Sequence, residues 1–182
     1  MSSPTKSEIR PLIKDLKRDP NGSFPRFYEL TKEKTFYLIF SYVHTTSEAE
    51  DILQDTYVSF LESLNKISLR LNPLSYLYAT ARNRAIDYLR EKEKVIDVED
   101  ETLETIDPTT FVYEDSDGLL KRIATFLTPF EFRVYTLHVL GDLTFKEIGK
   151  IVKRPTGTLT YTYSLAIEKL KKGLTENGER RI

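Results

Sequence analysis

The chain has 182 residues, 40% hydrophobic and 30% charged, with seven Gly and eight Pro, the composition of a soluble, helix-rich globular protein and not of a disordered or fibrous one. Having no cysteine and only two histidines, it excludes a disulfide framework and a thiolate zinc site, implies neither metal nor cofactor, and fits a reducing, cytoplasmic compartment. The net charge of -1 hides an asymmetry: residues 95–120 hold nine acids and no Lys or Arg, which leaves 19 acids against 27 bases elsewhere and makes a polyanionic partner plausible.

The start, MSSPTKSEIRPLIKDLKRD, carries no apolar stretch of signal-peptide type, and nowhere do roughly 18 successive apolar residues suggest membrane insertion. Residues 1–23 contain Pro4, Pro11, Pro20 and Gly22, which restrict helix to a short piece and mark a mobile lead-in. The run FYELTKEKTFYLIFSYV over 27–43 is apolar on nearly every face from Phe36 onward, which predicts a buried helix.

Ser47 with Glu50 has the spacing of a capping box for the next helix. There Ala49, Ile52, Leu53, Tyr57, Phe60, Leu61 and Leu64 recur at three-and-four spacing, and Glu48, Asp51, Asp55 and Glu62 make the other face acidic. Asn72 followed by Pro73 supplies an N-cap and first-turn proline for a third helix, with Leu74, Leu77, Tyr78, Ala81, Ala85 and Leu89 inward. Arg82, Asn83, Arg84 and Arg90 fall largely on its other side. Tyr78 and Tyr88 read as core residues, while Tyr76 is more open.

The acidic stretch 95–118 has a Pro, several Thr and no helical period, and reads as a linker. Thr128, Pro129 and Glu131 then open a helix reaching about Leu140, stopped by Gly141 and Asp142. Thr144 with Glu147 caps a short helix, Lys153, Arg154 and Pro155 make a turn, and Thr156 starts a longer helix with Leu159, Tyr163, Ile167, Leu170 and Leu174 inward. A short helix, a tight turn and a longer helix form a helix-turn-helix. The expected fold is all-α: a lead-in over 1–23, a helical domain over 24–94, the acidic linker over 95–118, a helix-turn-helix domain over 119–175 and a tail over 176–182.

Two stretches together resemble the extracytoplasmic-function sigma factors of the sigma-70 family. AEDILQDTYVSFLESL with YLYATARNRAIDYLR is similar to sigma region two, and LTPFEFRVYTLHVLGDLTFKEIGKIVKRPTGTLTYTYSLAIEKLKKGL is similar to region four. The resemblance implies a subunit of RNA polymerase that directs transcription initiation at particular promoters. It implies docking of Asp51, Gln54 and Asp55 on the clamp coiled coil of the polymerase largest subunit. An exposed acidic and amide-bearing face suits basic groups on a partner.

Reading and opening of the minus-ten promoter element falls, by the same resemblance, to Asn65, Lys66, Tyr76, Arg82, Asn83, Arg84 and Arg90. Aromatic platforms, polar groups and cations are what hold bases out of the stack. Readout of the minus-thirty-five element falls to Thr158, Thr160, Tyr161 and Ser164, with Lys153, Arg154, Lys169, Lys171 and Lys172 on phosphates. An anti-sigma factor is a usual further partner in the family.

One departure stands out. Many members carry Lys and Arg just after G-T-V, whereas this chain has Thr160, Tyr161 and Thr162, so bidentate Arg-to-guanine contacts from these positions are excluded and hydroxyl and thymine-methyl contacts remain. A stand-alone helix-turn-helix regulator, and a sigma-like protein acting only through protein contacts, are the alternatives the residues leave open. No phosphate-cradling glycine loop or zinc pattern supports an enzyme, and His44 and His138 read as packed histidines in apolar helices.

Overall fold

A computed structural model describes residues 6–67, 72–92 and 119–179, and the linker expected over 95–118 lies outside them. The described residues form helices α1 (Lys6–Arg18), α2 (Pro20–Val43), α3 (Thr46–Glu62) and α4 (Pro73–Glu91), then α5 (Leu119–Ala124), α6 (Pro129–Tyr135), α7 (Phe145–Val152) and α8 (Thr156–Glu179). A 3₁₀ turn spans Leu64–Lys66, and a π-helical segment, Thr136–Leu140, continues α6. No strand occurs among them.

The first four helices pack mutually around α2. Every residue of α2 from Phe36 to Val43 is buried, as a helix apolar on all sides requires. The lead-in is more helical than its prolines suggest: α1 runs through Pro11 and buries Ile9, Leu12, Ile13 and Leu16. Apolar burial at those four positions outweighs the single backbone hydrogen bond that an interior proline removes. Lys17 Nζ donates to the Ile67 carbonyl at 2.7 Å, fastening the end of α1 below α3.

Aromatic rings fill the α2–α3 contact. Phe27 stacks on Phe60 with centroids 5.1 Å apart, and Tyr28 meets Tyr57 edge-on at 4.9 Å, geometries that follow from the ring quadrupole. The buried Tyr57 hydroxyl is satisfied by Thr31 Oγ1 at 2.6 Å.

The start of α3 departs from the expected capping box. The N-cap is Thr45, without a side-chain cap, so Ser47 and Glu50 already lie inside the first turns. The Asn72 cap forms as expected, its Oδ1 accepting from the Leu74 N–H at 3.1 Å. His44 is not an interior helix residue. It ends α2 in the left-handed conformation, φ 61°, with its N–H bonded to the Phe40 carbonyl.

In the second block both capping boxes form, at Thr128–Glu131 and Thr144–Glu147. Each satisfies two helix-end donors reciprocally. Within the helix-turn-helix, Lys153 takes φ 55° and the Arg154 N–H returns to the Gly149 carbonyl at 3.2 Å. A Cβ at Gly149 would stand 2.8 Å from the Arg154 carbonyl oxygen, so this close turn needs glycine. His138 is packed as expected, its ring stacked on Phe145 at 4.3 Å and its Nδ1 2.7 Å from the Leu143 carbonyl.

Candidate functional site

The periodicity of α3 turns Ala49, Ile52, Leu53, Thr56, Tyr57 and Phe60 into the core, which leaves Asp51, Gln54 and Asp55 together on the exposed face. Val58, 55% exposed, continues that face by one turn. It is a residue that the charge pattern alone does not flag, although its spacing of seven from Asp51 does. Glu48 is engaged elsewhere: its carboxylate lies 2.9 Å from Lys92 Nζ at the end of α4. That hydrogen bond holds the Lys92 amine above its ordinary range.

The residues expected at minus-ten DNA divide into three groups. Asn65 and Lys66, on the 3₁₀ turn, and Asn83, on α4, are exposed. Tyr76 is also exposed while its ring leans on Phe60, with centroids 6.1 Å apart. Arg84 donates to the Ser59 hydroxyl, and Arg90 pairs with Asp87 at 3.6 Å on the surface. Arg82 differs. It is 7% exposed, and its Nε has no hydrogen-bond partner, so in this arrangement it does not present itself to DNA. Tyr78 is buried as expected and burial pushes its phenol up. Tyr88 is partly exposed, with Lys92 Nζ 4.8 Å above its ring.

On α8 the expected readers are all at the surface: Thr158, Thr160, Tyr161 and Ser164 are exposed, Tyr161 by 66%, and by helical spacing Thr160, Tyr161 and Ser164 share one face while Thr158 lies on the other flank. Thr160 Oγ1 donates to the Thr156 carbonyl and Ser164 Oγ to the Thr160 carbonyl, both at 3.0 Å. Hydroxyls bonded in this way turn their lone pairs outward and act as acceptors, suited to the amino groups of adenine and cytosine. Thr162, between them in sequence, is buried.

Of the expected phosphate contacts, Lys153 and Lys171 are exposed and Arg154 partly so. Lys169 reaches back to the buried Glu131 carboxylate at 2.7 Å. Lys172 pairs with Glu168 at 2.7 Å, which holds that carboxyl below its usual range. Lys169 therefore ties α8 to α6, while Lys172 keeps an exposed amine. Among the described residues no cluster of His, Cys, Asp and Glu can hold a metal ion, and no helix is long and apolar enough to cross a membrane.

Residues 27–95, the segment that carries α3 and α4, match the Sigma-70 region 2 family. Over 182 residues the chain is 25% identical to the ECF RNA polymerase sigma factor SigW of Bacillus subtilis, covering 92% of this chain and 97% of that protein. It is 28% identical over 152 residues to the RNA polymerase sigma factor SigV of the same organism, covering 80% and 87%. In fold it is similar to the co-crystal structure of the sigma factor RpoE in complex with the anti-sigma factor NepR from Bartonella quintana, with a TM-score of 0.59, 18% identity and coverage of 84% of this chain and 96% of that one. With a region-two match on the helices that carry the exposed acidic face and relatives that run through the helix-turn-helix, the chain is similar to the extracytoplasmic-function RNA polymerase sigma factors.

Proposed function

We propose that this chain is an alternative sigma factor that binds core RNA polymerase through the α3 face of Asp51, Gln54 and Asp55 and confers promoter choice through α4 and α8. The observation that carries this reading is the exposure of those three side chains on one face of a helix within the region-two match. An acidic face held clear of the core steers a basic partner and sets its register. Val58 adds an apolar contact at its end.

The division of labour on DNA follows from chemistry. Asn65, Lys66, Tyr76, Asn83 and Arg84 offer amides, a ring and cations to the unpaired bases and backbone of a minus-ten element. Thr158, Thr160, Tyr161 and Ser164 offer acceptors and a ring to the major groove of a minus-thirty-five element, with Lys153, Arg154, Lys171 and Lys172 on phosphates. The chain supplies recognition and strand separation to a polymerase that performs the chemistry, and is not itself an enzyme. Promoter DNA, core polymerase and an anti-sigma factor are its expected partners, in the cytoplasm.

Equilibrium binding to core polymerase tests this reading. Saturable association that is weakened by added salt supports it. Binding to duplex DNA with no association with core would indicate a stand-alone regulator.

A further inference from the structure

The exposed face of α8 carries no charge over its first two turns. No Lys, Arg, Asp or Glu occurs between Arg154 and Glu168. Gly157, Thr160, Tyr161 and Ser164 follow at spacings of three, four and seven within α8, which places them on one face, and all four are exposed. The cations stand beyond them: Lys153 and Arg154 precede the helix, and the exposed Lys171 lies two turns past Ser164. Cations of this kind fix a helix on phosphates without carrying sequence information. Base edges are left to uncharged groups.

Those groups form a restricted set. Thr160 Oγ1 donates to the Thr156 carbonyl and Ser164 Oγ to the Thr160 carbonyl. With their protons committed inside the helix, neither hydroxyl serves guanine, whose O6 and N7 in the major groove are acceptors. Their lone pairs suit the adenine N6 and cytosine N4 amino groups alike, so an apolar contact must decide between the two pairs. Tyr161, at 66%, is the most exposed large hydrophobic side chain among the described residues. Helical side chains lean over the turn on their N-terminal side. For Tyr161 that turn carries Gly157, where a Cβ would meet no atom within 4 Å. Bare backbone beside an exposed ring gives a base-pair edge room to approach, and the apolar group on such an edge is the thymine 5-methyl.

We propose that α8 reads its upstream element as A·T pairs, with Tyr161 as the specificity-determining residue that packs on thymine 5-methyl groups. The Thr160 and Ser164 oxygens accept from adenine N6. The proposal rests on the reading of α8 as a major-groove helix. It makes methyl contact, in place of a guanidinium fork on guanine, the source of selectivity. A site bound in this way loses affinity when thymine is replaced by uracil, which pairs identically and lacks only the methyl.

Titration of the full-length chain against labelled duplexes tests this. The parent duplex is selected from a randomised library and is expected to carry a run of A·T pairs. Rebuilding it with deoxyuridine for thymidine is expected to weaken binding roughly fourfold for each methyl contacted. Replacing adenine by 2-aminopurine, which takes the amino group out of the major groove and still pairs with thymine, is expected to weaken it as well. Tyr161→Phe is expected to keep the loss on uracil substitution, because the ring remains, and Tyr161→Ala to bind the thymine and uracil duplexes equally. Lys171→Ala is expected to weaken both and to keep their ratio.

Equal binding of the thymine and uracil duplexes by the parent chain would overturn the proposal. So would an undiminished difference in Tyr161→Ala, which would assign the discrimination to duplex shape, or selection of G·C-rich sites. Absence of duplex binding at any sequence would overturn the proposal together with the groove reading of α8. Association with core polymerase through α3 is measured without promoter DNA, so the proposed function stands or fails separately.

Discussion

Glu48 and Lys92 stand 2.9 Å apart across 44 residues and tie the first turn of α3 to the end of α4. Glu48 is thereby removed from the acidic face to which Asp51 and Asp55 belong. The pair sets a direct contrast. Asp51→Lys with Asp55→Lys is expected to weaken core polymerase binding by about tenfold or more, with helicity preserved because both side chains point away from the core. Glu48→Gln is expected to leave that affinity within about twofold. A pull-down or calorimetric titration of the three proteins measures both effects.

On α8 the expected contrast lies between specificity and affinity. Thr160→Ala with Tyr161→Ala is expected to flatten base preference at the upstream element, because an acceptor hydroxyl and an exposed ring are lost from the exposed face of α8 proposed to read it. Lys171→Ala is expected to weaken all sequences alike and to lower the log-log salt slope by about one. Binding to a randomised duplex library at two salt concentrations separates them. Greater loss of base preference in the lysine variant would reverse the assignment.

Lys34 offers a stability test independent of function. Its amine is buried on α2 without a hydrogen-bond partner, and burial lowers its pKa from 10.5 to about 8 against the opposing pull of Glu33 and Glu8. Between those values the unfolded chain holds more protons at this site than the folded one, so the Lys34 penalty is full below about pH 8 and is relieved as pH rises toward 10.5. Lys34→Met is expected to stabilise the protein at pH 7 by about 1–3 kcal/mol. That advantage is expected to shrink as pH rises from about 8 to about 10. Chemical denaturation of both proteins across this range checks the sign.

The Thr144 cap gives a local test of the helix-turn-helix. Its Oγ1 accepts from the Glu147 N–H at 3.3 Å, and Glu147 Oε2 accepts from the Thr144 N–H at 2.8 Å. Thr144→Ala is expected to cost about 1 kcal/mol. Denaturation and amide exchange in α7 measure the loss.

The parts of the fold that were readable in sequence are those governed by neighbours in the chain. The boxes at Thr128–Glu131 and Thr144–Glu147, the Asn72 cap and the exposed face of Asp51, Gln54 and Asp55 all depend on spacings of two to four residues. Ser47 and Glu50 had the same spacing, but the helix begins at Thr46, and a box pattern inside a helix caps nothing. The all-round apolar character of α2 announced a helix covered on every side without revealing that α6 supplies part of the cover. That pairing rests on Arg133 and Ser41, 92 residues apart, and no local signal joins them. For the same reason the A-R-N triplet could not show that Arg82 turns inward while Asn83 faces out.

Run-off transcription with core polymerase and a promoter library is the most direct test of sigma activity. Addition of the full chain is expected to yield discrete transcripts from a subset of promoters that core alone does not use. Those transcripts are expected to fall sharply with Asp51→Lys and Asp55→Lys. The absence of promoter-specific transcripts from a folded chain that binds core would contradict the assignment.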